Sequence, residues 1–152
     1  MTTGKLFGLA LLGSASLLAT AASAEHVTDG GTKLTTTLTG AAERPGPGDT
    51  DGSGSLTVTI NPGQKRICYE LTIAAIDTPT AAHIHIAPVT SPGPVVIGFP
   101  APPLGSSSGC IDVTSQQAAQ LIAKPSDYYF NVHNATFPGG AIRGQLAKAP
   151  HK

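Results

Sequence analysis

From residue 33 onward the chain alternates apolar and polar side chains with a period of two, in short runs broken by turn residues. The runs cover 33–40, 55–60, 66–73, 81–87, 94–99, 109–113, 127–134 and 141–147. Successive side chains of a pleated strand point to opposite faces, so this period predicts half-buried strands. Pro45-Gly46-Pro47-Gly48, Asn61-Pro62-Gly63 and Pro138-Gly139-Gly140 supply the punctuation between them. Short strands at regular spacing predict an all-β fold, an antiparallel sandwich or barrel of seven or eight strands. One stretch departs from the pattern. Thr114 followed by Gln117 forms a capping-box signature, and Pro125 stands just past Ala123, so a short helix over 115–123 is expected to cross between two strands.

The same alternation assigns faces. In 81–87, Ala82, Ile84 and Ile86 form the apolar face and put His83 and His85 together on the other. In 127–134, Tyr128, Phe130 and Val132 face the core, and His133 shares the outer face with Tyr129 and Asn131. In 141–147, Ile142, Gly144 and Leu146 point inward, and Arg143 and Gln145 outward. The Pro/Gly-rich stretch 88–109 is a candidate cover over this face. Cys68 and Cys110 count outward by the same rule, where a bridge would pin that cover.

His-x-His on a strand sets two imidazoles side by side, at a spacing that lets both reach one ion. A third histidine from a neighbouring strand completes a three-nitrogen set that suits copper, with zinc second. The candidate ligands are His83, His85 and His133, with Arg143 beside them as a positive neighbour that attracts anions. Two ordinary roles are open to the same histidines: hydrogen bonding to the covering loop, and simple exposure. His26 and His151 sit in terminal tails and read as solvated.

Lys5, an apolar run over 6–20 and the small-x-small site Ala22-Ser23-Ala24 predict a signal peptide cut after Ala24. The run is shorter than the ~20 residues of a membrane span. The expectation is a secreted or otherwise extracytoplasmic domain from Glu25 onward, without a membrane anchor. Removing Lys5 from nine basic residues, against nine acidic ones, leaves a near-neutral chain. Such a chain has no electrostatic footprint for nucleic acid. In an exported chain the two cysteines, Cys68 and Cys110, are expected to form a disulfide. Asn134-Ala135-Thr136 matches an N-glycosylation acceptor.

Several elements together resemble the chordin-type domain, CHRD: Leu38-Thr39-Gly40-Ala41-Ala42-Glu43-Arg44-Pro45, Ala82-His83-Ile84-His85, Gly93-Pro94-Val95-Val96, Tyr129-Phe130-Asn131-Val132-His133-Asn134, and the stretch from Pro138 to Leu146. The resemblance implies a β-sandwich module over 33–147 with no generally established activity, and a structural or protein-interaction role. Residues Ala81 to Pro88 are also distantly similar to the copper-ligand signature of copper/zinc superoxide dismutases, which implies an immunoglobulin-like sandwich. There, His83, His85, His133 and Arg143 match the copper-binding elements in type and order. No histidine lies between His85 and His133, so the bridging histidine and zinc loop of that family have no counterpart.

Three functions follow as expectations. The first is a binding module with a mononuclear three-histidine copper site. The second is a metal-free structural or protein-interaction domain. The third is a weak copper-dependent redox activity. Acidic residues are sparse, and no catalytic constellation of Ser, His and Asp is visible, so an enzyme is the less favoured class.

Overall fold

A computed structural model of the protein describes Met1 and residues 30–150. The predicted signal peptide, His26 and His151 lie outside the described residues. The strands are β1 (Thr32–Thr39), β2 (Ser53–Asn61), β3 (Arg66–Ala74), β4 (Pro79–Ile86), β5 (Val95–Phe99), β6 (Gly105–Asp112), β7 (Tyr128–Asn134), β8 (Ile142–Gln145) and the two-residue β9 (Ala147–Lys148). All pair antiparallel in one sheet of order β5-β4-β7-β8-β1-β2-β3-β6, with β9 on β1. The sheet curls until its ends nearly meet, giving a barrel-like sandwich. Tyr69 on β3 and Phe99 on β5 touch edge to face at 5.3 Å, and Phe99 meets Phe130 on β7 at 5.2 Å.

The inner face carries the alternating apolar residues of the long strands other than β6. Leu34, Leu38, Leu56, Val58, Ile60, Ile67, Ile73, Ile84, Phe130, Val132 and Ile142 are all essentially inaccessible. Each such side chain contributes about 1.5–3 kcal/mol by leaving water, before the entropy of ordering is set against it. The helix α1 (Ser115–Ala123) closes one end of the sandwich and buries Ala118 and Leu121. Its start is as expected: Thr114 Oγ1 accepts from the Gln117 N–H, and the Gln117 side chain accepts from the Thr114 N–H. Among the described residues no helix is long and apolar enough to cross a membrane.

Two expectations need correction. The stretch 88–109 is not one cover, because β5 and the first half of β6 are cut from it, and only residues 88–94 fold over the outer face. The Cys68–Cys110 disulfide is present, but it joins directly opposed residues of β3 and β6. It fastens two strands rather than a loop. The acceptor pattern at Asn134 is also structural: the residue is 1% exposed, and its Oδ1 accepts from the Phe137 N–H at 2.7 Å.

Candidate metal centre

Register brings the outer-face residues together. On β4, His83 stands opposite Asn131 and His85 opposite Tyr129; on β8, Arg143 stands opposite Asn131 from the other side. His133, two residues beyond Asn131, shares its face. One candidate ligand nitrogen from each of His83, His85 and His133 can be chosen so that all lie within 4.8 Å of one another. The sequence placed these residues on one face, and the fold brings a nitrogen of each into one cluster.

Hydrogen bonds decide which nitrogens are free. His85 Nδ1 lies 2.9 Å from the Gly93 carbonyl, and His133 Nδ1 lies 3.0 Å from the Pro138 carbonyl. A carbonyl only accepts, so both Nδ1 atoms carry protons. In the neutral ring Nε2 is then a bare lone pair, the state a metal needs. A backbone acceptor that fixes the tautomer in this way is the usual support behind a metal-ligating histidine. His83 Nδ1 lies 3.1 Å from His133 Nε2, a hydrogen-bond contact in which either ring nitrogen can be the donor. Two ligands bonded at ~2.0 Å in tetrahedral array stand about 3.3 Å apart, so this separation already approximates coordination.

Burial lowers the pKa of His83, as do the nearby His133 and His85. Burial also lowers that of His133; its bond to the Pro138 carbonyl opposes the shift and His85 adds to it. Both rings are therefore held toward the neutral form.

Behind the histidines lies a second layer. The His85 ring stacks on Tyr129 at 4.7 Å, 5° from parallel, and Arg143 Cζ sits 3.4 Å from the Tyr129 ring centroid. Arg143 is 1% exposed and donates to the carbonyls of Ser91 (3.1 Å) and Pro88 (3.0 Å). Expected as a positive neighbour of the histidines, the guanidinium lies behind Tyr129 and gives two of its donors to the loop. Gln145 helps fasten the same segment by donating to the carbonyls of Ala87 and Ser126. Burial lowers the Arg143 pKa, while Tyr129 and Glu43 oppose the shift and Arg44 adds to it.

Sequence reasoning missed two groups. Glu43, in the turn after β1, is 3% exposed. Burial raises its pKa to about 7 against the opposing pull of Arg143, Asn131 and Arg44, and its Oε1 has no hydrogen-bond partner. Gly140, at φ +138°, admits it: a Cβ there would stand 2.2 Å from that oxygen. The other is Asn131, 1% exposed, whose Oδ1 lies 3.0 Å from both His85 Nε2 and His133 Nε2. The signals for Asn131 were its place between Tyr129 and His133 on the outer face and its position inside one of the CHRD-like motifs. Glu43 follows a short 3-10 turn, where no period says which way a side chain points.

Residues 34–146 match the family model of the CHRD domain. No curated protein and no solved structure matches the chain. The matched span runs from β1 to just past β8 and contains every residue of the three-histidine cluster, so the chain belongs to the CHRD domain family.

Proposed function

We propose that this protein is an exported binding module whose His83, His85 and His133 hold a single copper ion, with zinc as the weaker alternative. The observation that carries the reading is the commitment of two Nδ1 protons to backbone carbonyls, which leaves the Nε2 lone pairs of His85 and His133 free within a three-histidine cluster. Three neutral nitrogens without a carboxylate in the set fit copper or zinc and not calcium or magnesium. Export is supported by the signal-like segment ending at Ala24 and by the disulfide, which persists in oxidising compartments.

Isothermal titration of the purified domain with copper and with zinc tests this. One-to-one binding lost on His83→Ala, His85→Ala or His133→Ala supports the site. Binding that survives all three changes overturns it.

One observation favours a second reading, a protein-interaction module without metal. With its amide turned by half a revolution, Asn131 would satisfy both Nε2 lone pairs, and the histidines would only tie β4, β7 and the 88–94 loop together. Absence of binding in the same titration selects that reading.

A further inference from the structure

The Asn131 amide is in a contradictory position. Its Oδ1 faces two Nε2 atoms that carry lone pairs whenever the rings are neutral, because both Nδ1 protons go to carbonyls. Acceptor against acceptor at 3.0 Å is repulsive unless a cation or two protons lie between. A half-turn of the carboxamide exchanges oxygen for NH2 at the same volume. Its two N–H bonds then serve His85 and His133 one each, His83 Nδ1 sharing the second acceptor.

The far side of the amide has a matching pair of states. As it stands, Asn131 hydrogen-bonds to Glu43 and favours the ionised carboxylate. After the half-turn its oxygen faces Glu43, whose Oε1 is buried without a partner. A protonated carboxyl supplies the donor that this oxygen needs. Each orientation is thus satisfied on both sides at once, in one case with a cation among the histidines and in the other without.

We propose that Asn131 is the internal occupant of the three-histidine site: without metal its NH2 bridges His85 Nε2 and His133 Nε2, and metal binding turns the amide to give that NH2 to Glu43. The second half rests on the metal reading above; the first half does not. An incoming ion meets imidazoles already clustered, and displaces a protein group rather than water alone. Asn131 is a positioning residue that sets affinity by occupying the two Nε2 lone pairs until the ion arrives.

Nitrogen NMR on the uniformly 15N-labelled, metal-free protein at pH 6.5, where Glu43 still holds its proton, reads the first half. His85 and His133 are expected as Nδ1–H tautomers, with through-hydrogen-bond couplings from Asn131 Nδ2 to both Nε2 atoms. Either ring found as the Nε2–H tautomer means that Asn131 Oδ1 is the acceptor, and the proposal falls. Addition of zinc should abolish those couplings and shift the Asn131 NH2 resonances; couplings that persist in the zinc-bound protein also overturn it. In Asn131→Ala, zinc should bind about tenfold tighter, the worth of one or two neutral hydrogen bonds no longer competing. Unchanged or weaker affinity counts against it. A wild-type protein that binds no metal sinks the proposed function but leaves the tautomer measurement to decide the bridge.

Discussion

Arg143 Cζ lies 3.4 Å from the centre of the Tyr129 ring, and the ring of His85 stacks on that same tyrosine. Tyr129 belongs to β7, with β4 on one side and β8 on the other, so it links the cation of β8 to the imidazole of β4. The guanidinium holds the carbonyls of Pro88 and Ser91, and the loop so held presents the Gly93 carbonyl to His85. Removing the arginine therefore acts on the histidine at a distance. Arg143→Ala should cost about 3–5 kcal/mol, because Glu43 loses its buried counter-charge and two carbonyls lose their donors. Arg143→Lys keeps the charge but not the planar fork and should still cost more than 1 kcal/mol or so. Urea denaturation measures both. Faster hydrogen exchange at the Gly93 N–H, which donates to the Tyr129 hydroxyl at 3.3 Å, would show that the loop has loosened.

The histidine face was legible because it depends on the pleat alone. His83, His85, His133 and Arg143 share a face by counting in twos, and no long-range contact was needed to say so. The use of Arg143 was not legible. Whether its guanidinium meets an anion or a loop depends on where residues 88–94 fold, which is not a local property. The start of β6 was missed for a related reason. Gly105-Ser106-Ser107-Ser108 has no apolar alternation, yet it pairs with Ile73 to Glu70 because β3 needs a neighbour for its backbone groups. Glu43 was hidden in a turn, where sequence carries no directional period.

Metal affinity should fall with acid, but later than an ordinary imidazole would make it. Binding needs neutral rings, and burial in the folded protein holds the pKa of His83 and of His133 below the ordinary imidazole value of 6.5. Titration with zinc from pH 8 downward should show affinity retained through pH 6.5 and lost only below it. Loss already complete at pH 6.5 would contradict the environment described for these rings.

The disulfide should matter for stability and not for the site. Strands β7, β8, β1 and β2 lie between β4 and β3 in the hydrogen-bonded order, and where the ends of the sheet approach each other β5 still stands between β6 and β4. Replacing both Cys68 and Cys110 by Ser should cost about 2–4 kcal/mol through the freed unfolded chain. Zinc affinity, measured where the variant remains folded, should be unchanged. A change of tenfold or more would mean that the sheet couples its two sides.

Thr114→Ala removes one half of the capping box at α1. The cost should be about 1 kcal/mol, read from urea denaturation. A cost near zero would show that packing of Ala118 and Leu121 holds the helix start without the cap.

The pH dependence of stability should show two opposed effects, and Glu43 separates them. Its folded pKa is raised from 4.5 to about 7, so the folded state holds this proton more tightly than the unfolded chain does. The stability it contributes is full below pH 4.5 and is lost as pH rises through about 7, a change on the order of 3 kcal/mol. The histidines run the other way. With folded pKa values below 6.5, His83 and His133 contribute stability that is present above pH 6.5 and lost as pH falls through their folded values. Between pH 5 and 7 the two trends oppose, so the metal-free wild-type protein should have a shallow profile. Glu43→Gln removes the first trend while keeping the shape of the side chain. Its stability should rise with pH over the same interval, leaving the histidine contribution exposed. Urea midpoints taken at half-unit steps from pH 5 to 8 would show it. If the variant and the wild type run parallel, the carboxyl ionises alike in the folded and unfolded states, and the burial argument for Glu43 is wrong.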